Sequence, residues 1–242
     1  MLQAIDLTKQ YEDGLLALDH LNFEVKEGEI FCLLGANGAG KTTTINLFLN
    51  FIDPTEGQAL INGIDSAKDP LEAKRYVSFV SENVMLYGNF SARQNLDYFA
   101  KLGEKDNLTK DDYYNSMNKV GLQEEAFEMK VKNFSKGMRQ KLGIAIAITK
   151  DAPNVLLDEP TSGLDPKAGS EFMKTLADLK QEGKAVFMST HDIFRAKAIA
   201  DRVGIMKEGK LVMLRTREEF LSENLEQIYL EYMQEAAVGV IR

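Results

Sequence analysis

Gly35-Ala36-Asn37-Gly38-Ala39-Gly40-Lys41-Thr42 fits the pattern G-x-x-x-x-G-K-[ST]. The flanks supply the context that this pattern needs. Ile30-Phe31-Cys32-Leu33-Leu34 is an unbroken apolar run of strand length, and Ile45, Phe48 and Leu49 follow at helical spacing. Strand, glycine-rich loop and helix are therefore expected in that order. Glycines let the backbone bend so that successive N–H groups face inward, and the helix N-terminus adds partial positive charge, so the loop is a cradle for phosphate. Lys41 would reach the β and γ phosphates of a nucleotide. The Thr42 hydroxyl would serve Mg²⁺, a hard ion that keeps several waters and takes few protein ligands.

The chain has 242 residues, 44% hydrophobic and 27% charged, ordinary globular composition with length for one sizeable domain or two small ones. Its net charge of −8 disfavours an electrostatic grip on a phosphate backbone, so no nucleic-acid partner is expected. The single cysteine, Cys32, excludes an internal disulfide framework and sits in an apolar run, which suits a buried side chain in a reducing cytoplasm. No signal-like N-terminus is present, and the longest nearly apolar stretch, Leu142 to Ile148, is far short of the roughly 20 residues of a membrane helix. Any membrane role is expected to use a partner.

Leu2 to Leu7 and Leu16 to Val25 alternate weakly and read as strands of a small antiparallel sheet. Tyr11, between them, reads from spacing alone as a half-buried aromatic at a strand end. Gly57 to Ile61 and Val77 to Val80 are two further short strands, with turns at Asp53-Pro54 and Asn62-Gly63. From about Asn83 to Lys150 the pattern is helical, with a capping box at Ser91 to Gln94, a second helix start near Thr109, and Ser135 as the N-cap of a third helix. This is a helical insertion in an α/β chain. Val155-Leu156-Leu157 runs into Asp158-Glu159-Pro160, placing carboxylates at the C-terminal end of a strand, where open α/β sheets bind ligands. One could hold Mg²⁺ while its neighbour acts as base on an attacking water; the alternative is a solvated turn. Lys167 to Lys180 is a helix, and Ala185 to Met188 a buried strand that delivers Ser189-Thr190-His191. From the pattern alone, His191 reads more readily as a packing or solvent residue than as a catalytic one. A hairpin through Glu208-Gly209 follows. The last segment reads as one amphipathic helix with Leu221, Leu225, Ile228, Tyr229 and Tyr232 on its buried face.

Taken together, G-A-N-G-A-G-K-T-T, F-S-K-G-M-R-Q, L-L-D-E-P-T-S-G-L-D-P and S-T-H occur in the order and rough spacing of the ATP-binding subunits of ABC transporters. The resemblance covers nearly the whole chain. Within that family the chain looks most like subunits of exporters of drugs, peptides or polysaccharides, on the strength of K-G-M-R-Q and of Asn224 to Leu230. It implies an α/β P-loop NTPase core with an N-terminal antiparallel β-subdomain and a helical insertion at about 83–150. The ATP-binding domain would span 1–218 and a C-terminal helical extension 219–242. The resemblance implies an ATPase using ATP and Mg²⁺, peripheral on the cytoplasmic face of the membrane, that pairs with a second ATP-binding subunit, expected to be identical, and powers a separate membrane permease.

By the same resemblance Tyr11 would stack on adenine, and Gly35, Ala36, Asn37, Gly38, Ala39, Gly40, Lys41, Thr42 and Thr43 would wrap the phosphates. Ser135, Lys136, Gly137 and Met138 would form the signature loop that touches the γ-phosphate held by the opposite subunit, and Asp165 would cross that contact. Asp158 would serve Mg²⁺ with Thr42, Glu159 would be the general base, and His191 would hold the γ-phosphate and attacking water. Three positions depart from the family pattern. Lys136 replaces a glycine of the usual L-S-G-G-Q, and Asn154 replaces the first apolar residue before Asp158, which predicts a weakened strand start. Glu82 stands where a glutamine normally joins core to insertion and touches Mg²⁺. Rival readings are a soluble ABC-type ATPase acting on nucleic acid or ribosomes, an importer subunit, and a regulatory module with little turnover. The first lacks its usual coiled-coil insertion or second ATPase domain here, and intact Lys41, Asp158, Glu159 and His191 argue against the last.

Overall fold

The apolar run before the glycine-rich loop becomes a strand with all six residues, Ile30–Gly35, buried. Both faces are covered, which is why the run is apolar throughout and does not alternate. This computed structural model describes residues 1–238, with side chains as far as Tyr232; residues 239–242 of the expected extension lie outside the described residues. The chain opens with β1 (Leu2–Gln10), β2 (Leu16–Val25), β3 (Ile30–Gly35), α1 (Lys41–Phe48), β4 (Glu56–Ile61), β5 (Ile64–Asp65), α2 (Pro70–Arg75) and β6 (Val77–Val80). Helices α3 (Ala92–Leu102), α4 (Lys110–Lys119) and α5 (Lys136–Lys150) make up the insertion. After them come β7 (Asn154–Asp158), α6 (Pro166–Gln181), β8 (Ala185–Thr190), α7 (Ile193–Ile199), β9 (Arg202–Lys207), β10 (Lys210–Thr216), α8 (Arg217–Ser222) and α9 (Leu225–Val238).

Two sheets result. The antiparallel one runs β2-β1-β4-β5, and the larger runs β10-β9-β3-β8-β7-β6, parallel except for the β9–β10 hairpin. Alternate residues of β3 serve two cores. Phe31 and Leu33 join Leu2, Phe23, Phe48 and Phe187 between the sheets, where the Phe23 ring stacks on Phe31 at 5.1 Å and on Phe187 at 5.5 Å. Truncating a ring so enclosed costs about 3–5 kcal/mol. Ile30, Cys32 and Leu34 face the other way, with Leu142, Leu157, Phe172 and Leu176 against the helices. Burial there pushes the Cys32 thiol far up.

Helix starts follow the chemistry of their caps. Ser91 with Gln94 and Thr109 with Asp112 form complete capping boxes, and Ser135 caps α5. Four features differ from the sequence reading. Asn62 and Gly63, at φ +50° and +80°, close a two-residue hairpin that adds β5, and Asp69 caps the unexpected α2 with Pro70 at its first position. Asn154 anchors its strand rather than weakening it: its side-chain amide donates to the Tyr76 carbonyl at 2.7 Å and its oxygen accepts from the Met1 amino group at 2.8 Å. The C-terminal segment is two helices, because Glu223 is extended (φ −94°, ψ 159°). That break resets the helical phase, burying Phe220 and leaving Leu221 52% exposed. Since α8 begins at Arg217, a boundary between 218 and 219 also falls inside a helix.

Candidate functional site

The carboxyl ends of three neighbouring parallel strands meet at one edge of the larger sheet. β8 lies between β3 and β7, so the loops that follow them bring Lys41, Asp158-Glu159 and His191 together. The glycine-rich loop leaves β3 through Gly35 and enters α1 through Gly40, which has φ +109°. A β carbon on Gly40 would stand 2.6 Å from the Ala17 carbonyl oxygen, so glycine is demanded by space as well as by conformation. α1 has no side-chain cap and no acidic residue in its first turn. Its first N–H groups and its positive end are thus left for an anion.

Lys41 is only 5% exposed; its ammonium donates to the Gly35 oxygen at 2.7 Å and the Ala36 oxygen at 3.2 Å. Thr42 Oγ1 donates to Asp158 Oδ2 at 3.0 Å, and Ser189 Oγ to Asp158 Oδ1 at 2.5 Å. Glu159 sits at φ +45°, a conformation that costs a non-glycine residue of order 1–3 kcal/mol, and its N–H donates to the Ser189 carbonyl at 3.1 Å. One oxygen, Oε2, is 2.9 Å from His191 Nδ1 and accepts the His191 N–H at 3.3 Å. The other, Oε1, is buried and accepts no hydrogen bond, although Lys41 Nζ is 3.3 Å away. Those two groups meet as charges without hydrogen-bond alignment. An orphaned acceptor of this kind costs about 1–3 kcal/mol, and a water held there would satisfy it. The Thr42 hydroxyl and Asp158 carboxylate are oxygen donors of the type Mg²⁺ takes, so these residues fit the ion.

A cleft of about 550 Å³ opens over this group, lined by residues 36–43 with Tyr11, Glu82, Asp158, Glu159 and Gly209. Tyr11 is half-buried at its rim, with Lys9 Nζ 5.3 Å from the ring centroid. Glu82 lines the same cleft, but its Oε1 accepts from Ser162 Oγ at 2.9 Å. Ser135, Lys136, Gly137, Met138 and Asp165 gather elsewhere, around a second cleft of about 450 Å³. There Ser135 accepts from the Met138 N–H at 3.2 Å and Asp165 from the Ala168 N–H at 2.9 Å, each capping its own helix. The Lys136 side chain lies over Gly163, with Nζ 3.2 Å from where a β carbon would be. The sequence-predicted site residues therefore fall into two separate sets in one chain.

Sequence reasoning passed over Ser189, which holds both Asp158 and the Glu159 N–H, although S-T-H was the signal that could have found it. It also passed over Leu15, Leu16 and Ala17, which line the first cleft beside Tyr11. From α9, Tyr229 packs against the helix-side core, its phenol pushed up first by burial and then by the charge of the Glu159 carboxylate.

Known proteins resemble this chain in sequence and fold. Residues 18–162 match the family described as ABC transporter. YhcH of Bacillus subtilis, described as an uncharacterized ABC transporter ATP-binding protein, is 36% identical over 226 residues, 93% of this chain and 73% of its own length. The bacitracin transport ATP-binding protein BcrA of Bacillus licheniformis is 38% identical over 236 residues, 97% of this chain and 74% of its own. The dimeric, post-hydrolysis structure of the ATP-binding cassette MJ0796 with ADP and Pi superposes with a TM-score of 0.82 at 27% identity, covering 90% of this chain and 99% of that one.

Proposed function

This chain belongs to the ABC transporter family as an ATP-binding subunit, and from that premise we propose that two copies close head to tail around two MgATP molecules and power a separate membrane permease for export. The chain is an ATPase. One observation carries the mechanism: Glu159 holds beside Lys41 a buried carboxylate oxygen that accepts no hydrogen bond among the described residues, while His191 fixes its other oxygen. That oxygen would accept the proton of a water attacking the γ-phosphate in line, and catalysis would otherwise be positioning and charge stabilisation.

In this reading Lys41 leaves its loop carbonyls for the β and γ phosphates, the 35–43 loop donates its N–H groups, and Tyr11 stacks on adenine. Thr42 and Asp158 would hold Mg²⁺, with Glu82 beside them, and the ion would neutralise charge on the phosphate oxygens. Ser135 to Met138 and Asp165 act on the nucleotide of the second copy. The dimeric state of the MJ0796 cassette supports such a pairing. Among the described residues no helix is long and apolar enough to cross a membrane; in this reading the chain meets the cytoplasmic face through the permease. Similarity to a bacitracin transport subunit, with K-G-M-R-Q and residues 224–230, supports drug- or peptide-like cargo. The charge of −8 weighs against nucleic acid as partner.

Glu159→Gln tests the reading, since it keeps shape but removes the base. Turnover should fall by about 10²- to 10⁴-fold while ATP still binds, and an ATP-dependent dimer should accumulate on size exclusion. Adding Ser135→Arg should abolish that dimer and spare ATP binding. Hydrolysis at the parent rate would move the base elsewhere, and a dimer that survives the double substitution would end the cross-subunit role of Ser135.

A further inference from the structure

Arg195 lies four residues beyond His191, on α7, and no motif draws attention to it. Its guanidinium makes contacts in three directions. Nη1 donates to the Thr161 carbonyl at 2.7 Å, Nη2 to the Leu164 carbonyl at 3.5 Å, and Nε pairs with Asp192 Oδ2 at 3.1 Å. Asp192 in turn caps α7 by accepting the Arg195 N–H at 3.0 Å. The third direction is α6. A β carbon on Gly169 would stand 3.0 Å from Nη2 and 3.1 Å from Cζ, so any other residue here would crowd the guanidinium.

The segment that Arg195 grips begins one residue after Pro160 and is tied back to Glu159, whose carbonyl accepts the Ser162 N–H at 3.1 Å. Its far end is Asp165, the cap of α6. Its middle is held by the Ser162–Glu82 hydrogen bond to the loop that joins the core to the helical insertion. Two carbonyls and a carboxylate around one side chain suit the planar fork of arginine, whereas a lysine ammonium is a point charge that could not span them in this geometry.

We propose that Arg195 is a positioning residue: by pinning the Thr161 and Leu164 carbonyls to the helix that follows His191, it holds Glu159, His191 and Asp165 in one fixed relation, and Gly169 leaves room for it. The proposal rests on the reading that Glu159 and His191 act at the γ-phosphate. It makes a specific demand on Gly169. In the first turn of a helix, glycine to alanine ordinarily favours the helix. Here the added methyl would press the guanidinium aside by a few tenths of an ångström, so the same change should largely preserve stability and impair turnover.

The test is a double-mutant cycle on the full chain, with steady-state ATPase, melting temperature and amide hydrogen exchange as readouts. Arg195→Ala should lower kcat by roughly ten- to hundredfold, the scale of a small misplacement of reacting groups, with KM for ATP within about twofold because the phosphate loop is untouched. Arg195→Lys should recover part of the loss. Gly169→Ala should lower kcat with the melting temperature unchanged or raised, and should have no further effect once Arg195 is alanine. The Ser162 and Leu164 amides should exchange faster in both single variants. Additive losses in the double variant, or a loss of kcat in Gly169→Ala with unaltered exchange, would overturn the proposal. Should Arg195→Ala fail to fold, Gly169→Ala and Arg195→Lys make the same comparison. Glu159→Gln run alongside separates the two readings. If it hydrolyses ATP normally, the catalytic assignment falls; if it is inactive and the cycle is additive, only the role of Arg195 falls.

Discussion

The phosphate-loop cleft and the cleft at the signature residues are built on opposite terms. In the first, Lys41 and Asp158 are buried and the central charged groups are held by neighbours: Lys41 by loop carbonyls, Asp158 by Thr42 and Ser189, Glu159 by His191. In the second, Ser135 and Asp165 spend their side chains on capping their own helices, and Lys136 lies exposed across Gly163. One cleft holds a preformed charge system that a single chain completes. The other offers edges, helix starts and an exposed cation, and on the proposed head-to-tail pairing its phosphate would come from the second copy. Nucleotide binding and hydrolysis should therefore separate cleanly by substitution.

The largest effect should come from the first cleft. On the proposed reading Lys41→Ala would remove a buried charge-assisted contact to two phosphates, so ATP affinity of the single chain should fall by about a hundredfold or more, measured by titration calorimetry. Unchanged affinity would erase the distinction between the clefts. Tyr11→Ala should cost about 1–3 kcal/mol of binding, the range for a base on an aromatic ring, with the same dependence on Mg²⁺. A variant that binds ATP as the parent does would make Tyr11 a structural residue of the rim.

Smaller effects sharpen the contrast. Glu82 lines one cleft and bonds the loop that lines the other, and the amide of Glu82→Gln keeps an oxygen for Ser162. Its turnover should stay within roughly tenfold of the parent, about 1.4 kcal/mol in barrier, with Glu82→Ala losing more. Equal loss in the two variants would show that the Ser162 bond contributes nothing. Smallest of all, Lys136→Ala should leave single-chain ATP affinity unchanged and weaken the ATP-dependent dimer of Glu159→Gln by about fivefold, as befits an exposed charge worth no more than about 1 kcal/mol. A change in single-chain affinity would place Lys136 in the wrong cleft.

Local chemistry made much of this legible. The apolar run of β3, the limits of β2 and β6, and the caps at Ser91, Thr109 and Ser135 all follow from neighbours in sequence. What escaped depends on distant partners. Asn154 reads as a polar flaw in a strand until Tyr76 and Met1 are seen beside it, and the Ser162 partner of Glu82 comes from 80 positions away. The break at Glu223 escaped for another reason: apolar spacing runs almost in phase across it, so one helix and two look alike until Phe220 takes the place of Leu221 in the core. The phosphate loop was legible because its pattern is local. Arg195 was not, because the two distant groups it holds are backbone carbonyls that carry no sequence signal.

The position of β3 also bears on how the molecule comes into being on the ribosome. Its two flanking strands, β8 and β9, begin about 150 residues after it ends. At the usual pace of about 5–20 residues per second, that separation leaves the apolar run without either neighbour for about 8–30 s of synthesis. Pairings this remote in sequence are slow to close and leave hydrophobic strands open meanwhile. A nascent chain therefore carries the complete phosphate-binding motif long before it has a phosphate site. Interrupted products that stop before Ala185 should be sticky and blind to nucleotide, a hazard that holding chaperones are suited to absorb.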